Sequence, residues 1–557
     1  MFLYWTQRST QNKAEFPARY VRRCELEWTV RAMTTKTMIF IVGTLVCVST
    51  ACAAEDQPDG APLTAPPDQN PLRITWRNLG SEQVMFPLEM KDMPVQIERE
   101  RQLFLDNYLV AESQHVTRQV HHPKRYSNNP VLAPPKAELN HVVVQHVLHF
   151  DEPPFFRMWY WSRDGWQTLP SGQQIRFATS YATSNDGTHW ERPNLDLHTV
   201  DGLVGPNNVV VPYGMTQGLF YNPDEPNADK RFQSLVCVER KNPVVREGYY
   251  LHTSPDGVHW KGDLSRPVIP SLTGPYSIPQ NGIGDTTRFW RDPFRRKYIG
   301  DVKFVIYGKQ RRHGVMESDD LIHWTRPTLT FLALRDDAEI YGHRGFAYQG
   351  MYIGMRWIFL PSYSQRHSSY VELDCSRDSR IWTRVGAGQP FMEFNPRHDS
   401  WDASIMRPVS MLNVGDEIWI YYFSAPTELE TGNSGDSRPQ PTDWSAGLAK
   451  LLRDRFVSIN AGNKIGTLIT RPIDFHGSRL YINATVAQGG ELRVGLLAQD
   501  GEPIPGYTTA DCTPVGGDSI RSSASWQAGH QLTDLDHSQV RLQFQLRNAK
   551  LFSFWID

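Results

Sequence analysis

From about residue 100 onward the chain alternates short apolar runs with polar turns, and long amphipathic helical patterns are absent. Val142-Val-Val-Gln-His-Val-Leu-His-Phe150, Phe156-Arg-Met-Trp-Tyr-Trp161 and Gly415-Asp-Glu-Ile-Trp-Ile-Tyr-Tyr422 have strand length and are rich in β-branched and aromatic residues. A turn recurs between such runs. It reads Ser184-Asn-Asp186-Gly-Thr-His189-Trp190, Ser254-Pro-Asp256-Gly-Val-His259-Trp260, Ser318-Asp-Asp320-Leu-Ile-His323-Trp324 and Ser376-Arg-Asp378-Ser-Arg-Ile-Trp382. The tryptophans lie 70, 64 and 58 residues apart, a spacing that marks a repeat architecture. Asp and Ser side chains bond their own backbone two residues on, and Gly supplies positive φ, so each unit is a turn that opens the next short strand. A radial array of four-stranded sheets, a β-propeller, fits this pattern.

The runs group into five blades. The first holds residues 142–161, and the second starts near Gln217 and ends at Trp260. The third runs from Asp285 to Trp324, the fourth from Glu339 to Trp382, and the fifth from Trp401 through Gly447 to Val457. Beyond Gly466 the texture changes. Leu480-Tyr-Ile-Asn-Ala, Glu491-Leu-Arg-Val-Gly-Leu-Leu-Ala498, Val540-Arg-Leu-Gln-Phe-Gln-Leu546 and Leu551-Phe-Ser-Phe-Trp555 alternate polar and apolar, as in a half-buried antiparallel sheet. The expected fold class is all-β: a five-bladed propeller over 99–463 followed by a C-terminal β-sandwich over 464–557.

The N-terminal 54 residues read as a signal-peptide region. Arg31 and Lys36 precede the apolar run Met38–Val48, too short to span a bilayer comfortably, and Ala51-Cys-Ala53 meets the small-x-small cleavage rule. Met33 or Met38 is then the expected initiator, and a lipid anchor through Cys52 is the rival reading. Residues 55–98 form a linker, Pro-rich over 55–70. These features predict a secreted or periplasmic protein.

At 557 residues the chain exceeds a single core, in keeping with two domains. With 58 basic and 60 acidic residues there is no electrostatic case for nucleic acid. After cleavage Cys237, Cys375 and Cys512 remain, with neither a disulfide framework nor a zinc spacing, and read as buried thiols. The expected partner is a carbohydrate, with no cofactor, no metal and a monomeric chain.

In a propeller the innermost strand of each blade lines a central channel, and functional groups gather at one mouth. Polar residues at the starts of the inner strands are therefore the candidates: Glu138, Asn140 and His141 before blade one, Asp285 and Arg288 in blade three, Glu339 and His343 in blade four, Asp402 and Arg407 in blade five. Acids from separate blades converging on one axis are the raw material of glycoside hydrolysis, which needs one carboxyl as general acid and another as nucleophile or base. The aromatics beside them, Trp290, Tyr341 and Trp401, are placed to stack on sugar faces.

The segment Asp285-Thr-Thr-Arg-Phe-Trp-Arg-Asp-Pro-Phe-Arg-Arg-Lys-Tyr298 resembles the second acidic motif of family 32 and related five-bladed furanosidases, and Glu339-Ile-Tyr-Gly with Tyr348-Gln-Gly-Met-Tyr-Ile-Gly354 is similar to the segment that supplies their general acid. The chain also resembles secreted bacterial family 32-like and family 43-like hydrolases. The resemblance implies a propeller glycosidase with Glu339 as general acid, Asp285 stabilising the oxocarbenium-like transition state, and Glu138 or Asp402 as nucleophile or base. Arg288, His343, Arg407 and His141 would orient substrate. The group's first acidic motif has no counterpart in the opening strand, where Val142-Val-Val-Gln145 stands. A non-catalytic glycan-binding propeller is the alternative, and a protein scaffold a third. Arg291-Asp292-Pro293 spells a family triplet but is read as a hairpin turn away from the channel. The repeat tryptophans and aspartates are read as structural, because a site needs only one copy.

Overall fold

The structure, a computed structural model, describes residues 91–135, 140–168, 174–198, 206–238, 248–270, 286–306, 310–331, 338–360, 369–395, 397, 400–426, 444–535 and 539–557. The expected signal region, most of the linker, and the candidates Glu138 and Asp285 lie outside the described residues. Among the described residues the protein is all-β, with strands and short 3-10 turns and no α-helix. None of these elements is a helix long and apolar enough to cross a membrane.

Five antiparallel meanders follow one another between residues 140 and 452. Their first strands are Asn140–His149, Met215–Tyr221, Arg288–Asp292, Glu339–Tyr348 and Arg407–Val414. Each of these lies against the next, and the fifth lies against the first, so the five close a ring of inner strands. Side chains stitch the ring: Ser410 Oγ accepts from the main-chain N of Val147 at 2.9 Å, and Thr286 Oγ1 donates to the Tyr341 carbonyl at 2.7 Å. The fifth meander takes its outer strand from far upstream, since Lys124–Arg125 pairs with Ser445–Leu452.

The repeated turns all follow the third strand of a meander, and antiparallel order puts them level with the ends of the inner strands. Each is built the same way. In the first, Ser184 Oγ accepts from the N–H groups of Asp186 and Gly187, Asp186 Oδ1 accepts from those of Thr188 and His189, and His189 Nδ1 lies 2.6 Å from Asp186 Oδ2. Trp190, Trp260 and Trp324 donate to the carbonyl three residues back. The residue after Asp has positive φ in all four copies, at 72° and 79° in Gly187 and Gly257, 66° in Leu321 and 58° in Ser379. The neighbouring meander explains which residue stands there. A Cβ on Gly257 would lie 2.7 Å from the Trp159 ring, and one on Gly187 would lie 2.6 Å from that of Trp419. Leu321 instead fills an apolar cluster with Phe220 and Phe289, and Ser379 Oγ donates to Asp292 at 2.7 Å. The turns therefore join adjacent sheets as well as ending strands.

Asp292 closes the hairpin after the third inner strand. Its Oδ1 accepts from the N–H groups of Phe294 and Arg295 and from Tyr352 Oη at 2.7 Å, as expected for an Asp-Pro turn. Cys237, Cys375 and Cys512 are buried, unbridged thiols.

The C-terminal strands, including the long Leu480–Ala498 and Val540–Ile556, form a separate sheet over an apolar cluster of Phe104, Leu468, Leu492, Phe544 and Phe554. Short strands from 95–120 join this sheet instead of the ring: Val110–Gln114 pairs with Gly466–Thr470, and Thr117–Val120 with Val457–Ala461. Sequence spacing assigned 99–123 to the propeller. The apolar Phe104, Leu109 and Val110 are buried in the C-terminal cluster, and the strands around them pair with partners about 350–450 residues away, a choice that local pattern does not encode.

Candidate active site at one mouth of the strand ring

Four of the five inner strands carry a β-bulge near their start. The strand register skips over Gln145, Gln217, Tyr341 and Val409 at these bulges. A bulge adds a residue, bends the strand and re-aims its side chain. In the third meander Arg288 opens the strand at the corresponding level, and its Nη1 donates to Gln145 Oε1 at 2.6 Å and to Gln217 Oε1. One guanidinium thus ties the inner strands of three meanders together with neutral amides as these partners. Gly342, beside the bulged Tyr341, leaves room for Trp357, which a Cβ would meet at 2.2 Å.

Tyr341 is the centre of the fourth and fifth meanders' contribution. Arg407, first residue of the fifth inner strand, holds its guanidinium 4.0 Å from the Tyr341 ring centroid, and Lys303 Nζ lies 4.6 Å from it. Trp357, Phe423 and Trp444 surround Arg407 at 5.7–6.0 Å. Trp444 also accepts, through its carbonyl, the main-chain N–H of Val142, which brings the start of the first inner strand to the same place. His141 packs there against Trp161, with ring centroids 5.9 Å apart. Glu339 opens the fourth inner strand two residues before Tyr341 and is 7% exposed. His141, Arg288, Glu339, Tyr341 and Arg407 are therefore brought to one mouth.

The other candidates are placed elsewhere. Asp402 is buried on the side of the fifth sheet, where Oδ2 accepts from Arg125 Nε at 2.8 Å and Tyr422 Oη at 3.3 Å, and Oδ1 from Ser400 Oγ at 2.5 Å. Trp401 stacks on Tyr422 at 5.7 Å. Trp290 donates its indole N–H to Asp301 Oδ2 at 2.9 Å and packs on Trp382 and Tyr352 between the third and fourth meanders. His343 is fully buried in the same interface, with Nδ1 3.3 Å from Asp301 and Nε2 3.5 Å from Asp374. Burial alone would lower its pKa, but Asp301 and then Asp374 raise it above the ordinary imidazole value, favouring the imidazolium.

Sequence reasoning missed Gln145, Gln217, Lys303, His146 and Arg344. His146, in the ring wall, is pushed well below the usual imidazole range by burial and then by Arg344 and Arg288. Arg344 is lowered to about 10 by burial, against the opposing pull of Asp301. The signal that would have found the glutamines is a lone amide in the first half or middle of an inner strand, among mainly apolar neighbours. Among the described residues no group of three or more His, Cys, Asp or Glu is arranged to hold a metal ion.

No protein-family model matches the chain, and no curated protein matches it in sequence. Its structure is similar to one described as a thermostable family-43 glycoside hydrolase, with TM-score 0.38, 13% identity and coverage of 58% of this chain and 96% of that one. It is similar to a glycosyl hydrolase from Bacteroides ovatus, with TM-score 0.38, 14% identity and coverage of 60% and 95%. It is also similar to an N-acetylgalactosamine deacetylase from F. plautii in complex with blood group B trisaccharide, with TM-score 0.37, 16% identity and coverage of 62% and 97%. A family-43 hydrolase, of the group the sequence resembles, is thus among the structural neighbours.

Proposed function

We propose that this chain is a secreted glycoside hydrolase, a five-bladed β-propeller followed by a β-sandwich, with its active site at the mouth where the inner strands begin. The carrying observation is the bond from Thr286 Oγ1 to the Tyr341 carbonyl at 2.7 Å. Thr286 follows Asp285 in the sequence and Tyr341 follows Glu339 by two, so one hydrogen bond joins the two segments that bear these acids. Glu339 acts as general acid on the glycosidic oxygen, and Asp285 stabilises the oxocarbenium-like transition state. Glu138, two residues before the first inner strand, is the nucleophile or base. Asp402 holds Arg125 and hence the closing strand, and the half-buried Trp444 offers a ring face to the sugar.

The test is a panel of poly- and oligosaccharides incubated with the wild type and with Asp285→Asn and Glu339→Gln. Hydrolysis by the wild type, lost in both variants while sugar binding persists, is the expected result. A non-catalytic glycan-binding propeller is favoured by one feature: the opening strand carries Val142-Val-Val-Gln145 in place of a carboxylate, and Gln145 is bound to Arg288. Binding with no cleavage of any glycan in the panel would decide for that reading.

A further inference from the structure

A cleft of about 590 Å³ opens at the opposite mouth of the ring, among the far ends of the second, third and fourth inner strands. Its size is that of small-molecule sites. Phe220, Tyr221, Trp290, Tyr298 and Phe346 supply ring surface, and Asn222 and Gln233 supply amides. Among its described lining residues the charged groups are Arg231, Arg291 and Arg344 against the single carboxylate of Glu225. Arg344 is the unusual member. It is 8% exposed, its Nη1 donates to the Phe289 carbonyl, and its Nε has no hydrogen-bond partner. The carboxylate that acts on it, Asp301, already spends Oδ2 on Trp290, the Gly345 N–H and His343. Arg291 stands at the exposed rim, 4.5 Å from the Tyr298 ring centroid, and Arg231 is likewise exposed. A desolvated guanidinium below two exposed ones suits a planar carboxylate, which two parallel N–H donors grip. The surrounding rings suit the apolar faces of a sugar.

From this we infer that the cleft is a second saccharide site, separate from the proposed active site, which binds an acidic sugar through its carboxylate, with Arg344 at the floor and Arg231 and Arg291 at the rim.

Isothermal titration of the full chain with glucuronate, glucose and inorganic sulfate tests it. Glucuronate is expected to bind at least tenfold more tightly than either glucose or sulfate. Arg344→Met should abolish that binding, and the double variant Arg231→Met/Arg291→Met, at exposed positions that carry the test should the first not fold, should weaken it at least tenfold. Glu339→Gln should bind glucuronate as the wild type does, so loss of hydrolysis and loss of this site are read separately. Equal affinity for glucuronate and glucose, sulfate binding as tight as glucuronate, no detectable glucuronate binding, or an unchanged affinity in the double variant would each overturn the inference.

Discussion

The two faces of the strand ring are built on opposite principles. On the turn face the polar groups of the Ser-x-Asp units are satisfied close by, within the unit or across to the next sheet, as Asp292 is by Tyr352 and Ser379. The same solution recurs in four copies, and each copy is interchangeable in purpose. On the other face nothing repeats. Gln145, Gln217, Arg288, Tyr341 and Val409 occupy one level of the ring with four different chemistries (amide, guanidinium, phenol and aliphatic), and four of the five residues lie on bulges that break strand pairing. Repetition marks the part that must hold, and its interruption marks the part that can act.

The sharpest way to separate the faces is Glu339→Gln. It should lower kcat by about 10²–10⁴-fold, the usual share of a general acid, with a urea midpoint close to wild type. Asp292→Ala should do the reverse. It strands Tyr352, Ser379 and two N–H groups and should cost about 3 kcal/mol of stability in urea titration, with activity per folded molecule retained. Gly257→Ala combines positive φ with a clash on Trp159 and should cost about 2 kcal/mol, whereas Gly415→Ala, with nothing within 4 Å of the new Cβ, should cost only about 1 kcal/mol.

A milder effect concerns pH. The folded-state pKa of His343 lies above its unfolded value of about 6.5, so its stabilising share is fully present below that value and is lost as pH rises through the folded one. The urea midpoint should fall between pH 6 and 9, and less so in His343→Gln. A midpoint that rises with pH in this range would show that Asp301 and Asp374 do not hold a charged imidazole. Smallest of all, His189→Ala should change stability by less than about 0.5 kcal/mol, because its pair with Asp186 is exposed.

Much of the scaffold was legible because its causes are local. Ser, Asp and positive φ at fixed offsets announce a turn whatever surrounds it, and Asp292 was readable as a hairpin residue from its place between Trp290 and Tyr298 and from the Pro that follows it. Arg288 and Arg407 were singled out because they stand at strand starts, and Tyr341 as an aromatic beside Glu339. Trp290 and His343 sit on the same inner strands, yet they face Asp301 between two sheets, since alternation tells which residues share a side but not which side meets the axis. Bulges shift that alternation by one and leave no mark in composition, which is why Gln145 and Gln217 went unnoticed. Arg344 was silent for another reason: an arginine in a strand reads as surface until the neighbouring sheet covers it.

The strand Lys124–Arg125, and with it the Arg125–Asp402 ion pair that spans 277 residues, has a consequence for biosynthesis. A ribosome delivers the fifth sheet's edge first and the sheet itself about 280 residues later. Until then the nascent molecule is an unclosed necklace with one bead waiting at the clasp, its apolar inner edges accessible to chaperones and to its own copies. The clasp can fasten only when the whole length has arrived.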